Sequence, residues 1–556
     1  MTVSSPHHIS EMPRVTLSNI IVRKPTFSVN SPAPLTSQLV TLKSRFLRRI
    51  IAALLTLATL LATPAHAEWR EATSDHFIIV SGGPEEELVR FSKELEAVHW
   101  LMTQATGLTE IDNGPKVRIY LMDRLYSVHA AMGQTRDNPA AGFYRTTHDG
   151  AYAVVPRDQG EFSTTVLYHE YAHHFMLQHM NSAFPPWFVE GFAEVVSTAS
   201  FEQPGKISYG RAASHRADEL HFVTWVPTTR MFAPRSRDDE RAGVASYGQY
   251  WLTAHYFIFS PDRRGQLARF ITATNSGQSP EQAYGVFTGG IDRVDSDLRR
   301  YLRQRSFPYV APELPADVMR APVLRLLRPG EEATVDEELQ ASRPMSAAAH
   351  IPVAARVAQV AVRYPADPAV ALLHARLLYY AERYAEAEAA VDRTLVLEPR
   401  NVRALTLKGQ IMLAARLASE QPLDAALLAA ARGHIIRANR IDPEDQVPLI
   451  AYFESFKLAD EAVPDAALAG LFKAAELVPQ ETDLRMTLAR ELLDRRDLPE
   501  ARFLLAPLAY APHRSPQQGY ALQLMQWIDA GAQGTMPQPS AANDTDEEEE
   551  EIRRAG

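Results

Sequence analysis

The sequence predicts an α+β domain followed by an all-α helical array, within a chain of 556 residues. Short apolar segments alternate with a helical pattern before residue 160, and two later helical segments carry histidine and glutamate at one-turn spacing. From residue 351 onward, Ala and Leu dominate with helical period, and Pro recurs regularly. We therefore expect a leader at 1–67, the α+β domain at 68–310, a Pro-rich linker at 311–350, the array at 351–530 and a tail at 531–556.

Strands and one helix are predicted at the start of the α+β domain. The apolar and alternating segments His76–Val80 and Lys116–Met122 flank Glu85–Ala105, which has helical period. Phe143–Arg145 and Ala151–Val155 flank a segment whose Asp-Gly pair favours a hairpin turn. If the outer strand of this hairpin borders a cleft, an extended peptide could add to it as a further strand.

A metal site is predicted by two histidines and a distant glutamate. His169 and His173 are four residues apart, so on a helix their imidazoles point to the same side and can bind one ion. Catalytic zinc sites use three protein ligands and leave one position for water, and Glu190 is the natural third ligand. Pro185-Pro186 ends the first helix and allows a reversal, after which Trp187–Ala199 is predicted as a second helix.

Two further carboxylates have predicted roles at this site. Glu170 can accept a proton from the zinc-bound water, and Glu194, one turn after Glu190, can accept the free N–H of a liganding histidine. A chance match on an exposed helix is the alternative, but the segment is apolar around its circumference, which favours a buried helix. His174 and His179 lie on other faces of this helix and are expected to be ordinary packed or solvated residues.

The motifs His-Glu-Tyr-Ala-His and Trp-Phe-Val-Glu-Gly-Phe-Ala-Glu-Val resemble those of gluzincin metallopeptidases, the thermolysin and aminopeptidase-N clan, and especially peptidase MA-like domains. The resemblance covers residues 70–305, although sixteen residues separate the second histidine from the glutamate, slightly fewer than in those two branches. The aminopeptidase element Gly-x-Met-Glu-Asn is missing, which favours an endopeptidase. The resemblance implies the zinc ligands His169, His173 and Glu190, the base Glu170 and the outer carboxylate Glu194.

A donor to the oxyanion of the tetrahedral intermediate is also expected. Ser246–Trp251 resembles the Tyr-x-Gln-x-Trp helix of peptidase MA-like proteins, and it makes Tyr247 the candidate. The alternative is an aromatic core stripe at helical spacing. We prefer that alternative for Tyr250 and Trp251, and we leave both interpretations open for Tyr247.

The second half of the chain contains a repeat. Prolines at 365, 399, 443, 479 and 512 give a period near 34, which is typical of tetratricopeptide repeats, each a pair of antiparallel helices. The segment from Ala371 to Pro399 resembles one full repeat, and the longest interval predicts an insertion around Ser419–Leu423. About four units are expected. Such arrays bind protein partners, although packing against the catalytic domain, as scaffold or autoinhibitor, is an alternative.

Composition excludes several classes of site and indicates an exported protein. With no cysteines, the chain has no disulfide, thiolate metal site or cysteine nucleophile, and no basic stripe indicates nucleic-acid binding. Basic residues precede the apolar run Ile50–Ala62, and Ala65-His66-Ala67 resembles a signal-peptidase site. We expect a bacterial periplasmic or secreted protein, with membrane contact only if the leader stays uncleaved. The acidic run Asp546–Glu551 predicts a disordered tail.

Two functions are consistent with these observations. The first is an exported zinc-dependent endopeptidase that hydrolyses a peptide or protein substrate by zinc-activated water, with Glu170 as general base. The second is a catalytically inactive, metallopeptidase-like interaction scaffold, because a fold does not guarantee activity. The intact Glu170 favours the first. Zinc is inferred from the ligand types, since imidazole also suits copper, nickel and iron.

Overall fold

The computed structural model describes residues 68–107, 114–132, 142–157, 160–179, 183–233, 246–510 and 516–539. The predicted leader and the acidic run Asp546–Glu551 lie outside these ranges. Within them, no helix combines the length and the apolar character needed to span a bilayer.

A six-stranded mixed sheet forms the first part of the fold, and the sequence predicts four of its strands. The strand order is β4-β5-β3-β2-β1-β6, with β2, β3 and β5 parallel to one another and the other pairings antiparallel. β4 and β6 are therefore the edge strands. The strands are β1 (Arg70–Thr73), β2 (Phe77–Ser81), β3 (Val117–Met122), β4 (Phe143–Thr147), β5 (Gly150–Pro156) and β6 (Val323–Leu326).

Helices cover both faces of the sheet. The helices that the structure describes in this region are α1 (Glu85–Thr106), α2 (Leu125–Met132), α3 (Glu161–His179), α4 (Pro186–Val196), α5 (Ala217–Phe222), α6 (Thr228–Phe232), α7 (Tyr247–Phe259), α8 (Gln266–Asn275), α9 (Pro280–Ala283), α10 (Gly290–Leu302), α11 (Pro329–Glu332) and α12 (Val335–Ala341).

Alternating side chains of the sheet point into two separate cores. On β3, Ile119 and Leu121 join the core formed with α1, α3, α4 and α7. Tyr120 and Met122 join the second core, which α2 and α12 complete with Val128 and Leu339 among others. This alternation follows from the two-residue period of a strand and places α3 directly on the sheet.

Two strands were not predicted. β1 precedes the first expected strand, and β6 lies within the predicted linker 311–350. The linker assignment is corrected for this segment, because β6 pairs with β1 and completes the sheet. β6 is a four-residue edge strand, and Val323 on it is 74% exposed. Its pairing depends on backbone hydrogen bonds, so it leaves no alternating apolar pattern in the sequence.

The second half is a long helical array that resembles a tetratricopeptide-type solenoid. Four consecutive pairs, α14–α15, α16–α17, α18–α19 and α20–α21, follow α13 and precede α22. The helices are α13 (Ala347–Arg363), α14 (Pro368–Tyr380), α15 (Tyr384–Leu397), α16 (Val402–Ala418), α17 (Ala425–Ile441), α18 (Gln446–Leu458), α19 (Asp465–Leu477), α20 (Thr482–Asp494), α21 (Leu498–Ala509) and α22 (Pro516–Asp529).

The periodic prolines mark the starts of these pairs. The first helix of each pair begins three residues after Pro365, Pro399, Pro443 or Pro479. Residues 419–424 connect α16 to α17, as predicted for the longest interval, but most of its extra length lies in these two helices, which have 17 residues each. The described residues of the array and of the sheet region belong to one compact unit.

The turns within the four pairs share one geometry. In each pair, the second residue after the end of the first helix is not glycine and adopts a φ between 51° and 63°. The next residue donates its N–H to the carbonyl five positions back, as in a Schellman motif. The pairs are therefore structural repeats although their turn sequences differ. The left-handed residues are Glu382, Glu420, Asp460 and Arg496.

Candidate metal centre

The helix α3 presents two histidines at the margin of the core. Phe175 and Ala172 on this helix are fully buried. The side chains of His169 and His173 are each 15% exposed, so both imidazoles reach the solvent-accessible edge of the packed helix. Their four-residue spacing brings the two Nε2 atoms to 3.1 Å from each other.

The helix α4 brings the glutamates to the same point. Pro185 is its N-cap and Pro186 its first residue, where the missing N–H costs no helical hydrogen bond. Glu190 on this helix is buried, with 1% of its side chain exposed. The neighbouring Gly191 packs so closely on α7 that a Cβ atom there would lie 2.4 Å from the carbonyl oxygen of Tyr250. Close packing of α4 on α7 therefore fixes the position of Glu190.

The three predicted ligands converge. Oε2 of Glu190 lies 3.4 Å from Nε2 of His169 and 3.6 Å from Nε2 of His173. Ligand atoms of a tetrahedral zinc ion, each at about 2.0–2.1 Å, are separated by roughly 3.3–3.4 Å. The observed separations span this value, and the donor set is one that zinc uses, so the residues fit the ion. In the part of the chain that the structure describes, this is the one group of three such residues with metal-site spacing.

The predicted outer carboxylate, Glu194, contacts His169 on the other side of its ring. Oε1 of Glu194 lies 3.3 Å from Nδ1 of His169, and Oε2 lies 2.9 Å from Nε2 of His215. Arg216 donates to Oε1 through Nη2 at 2.6 Å and Nε at 3.1 Å. Burial alone raises the pKa of Glu194, but the bonds to His169, His215 and Arg216 hold it well below its usual range. Glu194 is therefore an anion that orients His169 with Nε2 towards Glu190.

The two carboxylates also act on the protonation of His169. Burial lowers its pKa, but hydrogen bonds and charge from Glu190 and Glu194 raise it to about 10. A metal ion needs the neutral imidazole, so an ion that binds here must displace this proton.

The candidate base Glu170 lies on α3 and is partly exposed. On the edge strand β4, burial and the negative charge of Glu170 together raise the pKa of Tyr144 well above its usual range. The Tyr144 hydroxyl lies 2.6 Å from Nδ1 of His174. The edge strand is therefore attached to the metal-site helix through this pair.

His174 and His179 do not join the metal centre, as their positions on α3 predict. Both line a separate cavity of about 510 Å³, whose lining does not include His169 or His173. Burial lowers the pKa of His174 to about 3 and, helped by His76, that of His179 to about 4.

Tyr247 is at the centre, whereas its aromatic neighbours are in the core. It is the first residue of α7, and its ring centroid lies 6.5 Å from that of His169. The guanidinium carbon of Arg216 lies 4.9 Å from the Tyr247 ring centroid. Tyr250 and Trp251 are buried, which agrees with the core interpretation preferred for them.

Sequence reasoning missed Arg216, His215 and Tyr144. A buried Glu194 requires compensating donors, so the need for a cation could have been anticipated. Which cation serves could not be anticipated, because the segment 214–216 carries no motif and reaches Glu194 only through the tertiary fold. Tyr144 lay in a predicted strand, but nothing local distinguishes it from other strand tyrosines.

No protein family matches the chain, and no curated protein matches it either. Among solved structures, the chain is similar to yeast Tom70, with a TM-score of 0.24 and 11% identity, over 68% of this chain and 73% of Tom70. At this TM-score the likeness defines no shared fold. The array resembles a tetratricopeptide-type solenoid in its helix pairs and in their turns.

Proposed function

We propose that this protein is an exported zinc-dependent peptidase, and specifically an endopeptidase. The observation that supports the proposal is the convergence of His169 Nε2, His173 Nε2 and Glu190 Oε2, separated by 3.1 to 3.6 Å. The gluzincin resemblance of the two motifs supports the same reaction class. Export is proposed from the N-terminal leader, whose sequence is typical of a secretory signal.

The reaction would divide between the ion and the side chains around it. His169, His173 and Glu190 would hold a zinc ion, and a bound zinc ion would polarise a peptide carbonyl and lower the pKa of water. Glu170 accepts the proton of the attacking water and delivers it to the leaving amine. Tyr247 donates a hydrogen bond to the oxyanion that forms at the carbonyl.

An extended peptide is the proposed substrate because an edge strand lies beside the metal-site helix. β4 pairs with β5 on one side and is the edge of the sheet. A peptide that adds to an edge strand gains backbone hydrogen bonds irrespective of its sequence. The Tyr144–His174 contact on β4 and α3 would bring such a peptide close to Glu170. A substrate-analogue complex without main-chain pairing to β4 would reject this part of the proposal.

The test is turnover of an internally quenched peptide by the wild type and by Glu170→Gln, with zinc measured in both. We expect the variant to retain zinc and to lose at least about a hundredfold in kcat/KM, because a general base contributes roughly 10²–10⁴. Glu202→Gln is the matched control, since Glu202 forms a partly exposed ion pair with Arg211 away from the metal centre. Equal rates for wild type and Glu170→Gln would eliminate the enzyme proposal.

An interaction scaffold is the second candidate function. The long array of helix pairs favours it, because such arrays commonly bind other proteins. The two candidates differ in one result. A wild-type chain that binds zinc stoichiometrically but cleaves no peptide would favour the scaffold.

A further inference from the structure

The turn between β4 and β5 lies against the helical array. The first helices of the four pairs are α14, α16, α18 and α20, and we call the surface that they and their N-caps form the first-helix face. His148 and Asp149, the two residues at the tip of the turn, make polar contacts with this face. These contacts join the edge of the sheet to the array within one chain.

Two arginines hold the carboxylate of Asp149. Nη1 of Arg403 on α16 donates to Oδ1, and Nη2 of the same residue lies 3.3 Å from the Asp149 carbonyl oxygen. Nη1 of Arg376 on α14 lies 3.9 Å from Oδ2. Both arginines have fixed partners of their own, since Arg376 contacts Glu338 at 2.6 Å and Arg403 contacts Asp445 at 3.0 Å. The guanidinium groups are therefore already oriented, which lowers the entropic cost of binding the carboxylate.

The next two pairs hold His148. Its carbonyl oxygen accepts a hydrogen bond of 2.7 Å from Nε2 of Gln446 on α18. Its ring Nε2 lies 3.6 Å from Oε2 of Glu481, the N-cap of α20. One side chain from each of four successive pairs thus contacts two residues of the turn. A chance surface contact would not distribute in this way over the repeat.

The turn is the far end of the hairpin whose outer strand reaches the metal-site helix. Thr147 pairs with Gly150 at the turn, and Tyr144 pairs with Ala153 further along β4. Among the described residues, β4 has a strand partner on one side alone, so its position depends on β5, on the Tyr144–His174 contact and on the contacts of the turn. The contacts of Asp149 and of Tyr144 therefore lie five residues apart at the two ends of one edge-strand segment.

We propose that the first-helix face is a docking site for the β4–β5 turn of its own chain, and that this docking holds β4 in place beside α3 for an extended peptide. Asp149 is thus a positioning residue, which acts through the strand and does not touch the reacting atoms. The inference rests on the proposed function for its substrate. The docking itself is independent of catalysis.

The test uses the full chain and the variants Asp149→Asn, Asp149→Glu and Arg403→Gln. Asp465→Asn is the matched control, because Asp465 forms an ion pair with Arg495, another residue of the array. Hydrogen exchange is measured for the peptide spanning residues 143–156, together with zinc content and with kcat and KM for an eight-residue peptide and a short one. Because one charge-assisted hydrogen bond is lost, we expect exchange in this segment to accelerate about tenfold in Asp149→Asn, with zinc retained.

The variants should change the kinetic constants mainly for the longer substrate. We expect Asp149→Asn to raise KM for the eight-residue peptide about tenfold, with little change for the short peptide, and Asp149→Glu to recover part of the loss. The double variant Asp149→Asn with Arg403→Gln should show little more than the larger single effect, since both substitutions remove the same Asp149–Arg403 contact.

Different failures have different signatures. Unchanged exchange in Asp149→Asn would refute the docking. Faster exchange without any change for the longer peptide would refute the positioning role. A wild-type chain without turnover would instead overturn the proposed function and with it the positioning role, while the exchange measurement would still decide whether the turn is docked.

Discussion

A methyl group added at Gly191 tests whether the packing of α4 on α7 determines the position of Glu190 at the metal centre. In Gly191→Ala the new Cβ would lie 2.4 Å from the Tyr250 carbonyl oxygen and 2.9 Å from Cβ of Ala254. Ordinary van der Waals contact requires a displacement of roughly 1 Å. Overpacking of this kind costs about 1–3 kcal/mol, and the better helix propensity of Ala offsets up to about 1 kcal/mol. We therefore expect the free energy of unfolding to fall by about 1–2 kcal/mol.

The same displacement should weaken zinc binding, because Glu190 precedes Gly191 on α4. Ligand distances in metal sites tolerate only about 0.2 Å, so a shift of this size should raise the zinc Kd at least about tenfold. Competition with a chromophoric chelator measures the Kd, and thermal unfolding should show a Tm lower by roughly 1–4 °C for a cooperative unit of this size.

Gly433→Ala is the control for the general effect of Ala in a helix. Gly433 lies within α17, and a Cβ there meets nothing within 4 Å. This variant should gain about 0.5–1 kcal/mol of stability and keep the wild-type zinc Kd. If Gly191→Ala behaved like Gly433→Ala in both measurements, the argument that packing at Gly191 positions Glu190 would be wrong.

Three further predictions concern charge. Glu194→Gln should raise the zinc Kd by roughly 10–100-fold, because the neutral amide no longer orients His169 as an anion does; an unchanged Kd in chelator competition would contradict this. Zinc binding at pH 8 should release about one proton, since the pKa of His169 is raised to about 10; calorimetry in buffers of different ionisation enthalpy should show that dependence. Stability should fall as the pH drops from about 6.5 towards 3, because unfolded His174 binds a proton there while burial keeps its folded pKa at about 3. Between pH 7 and 5 this amounts to at most roughly 2 kcal/mol, and urea unfolding of His174→Gln should show a correspondingly smaller loss.

Local sequence patterns predicted the repeating part of the fold well. Proline is disfavoured in a helix interior, so the regularly spaced prolines predicted the segments between helices, and each first helix begins just after one. The strands β2, β3 and β5 were predicted because their apolar side chains serve two cores. β1 and β6 were missed, since a short edge strand with exposed side chains is defined by its backbone partner and leaves no pattern.

The sequence by itself determined the donor types and their spacing within each helix, because the four-residue separation of His169 and His173 fixes their common face. Only the tertiary structure decided that Glu190 meets these histidines from a second helix and that Arg216 forms an ion pair with Glu194. It also decided that Arg403 of the array forms an ion pair with Asp149. The reason is physical. Spacing along one helix is set by backbone geometry, whereas contacts between distant segments depend on how whole elements pack, and no local pattern encodes that packing.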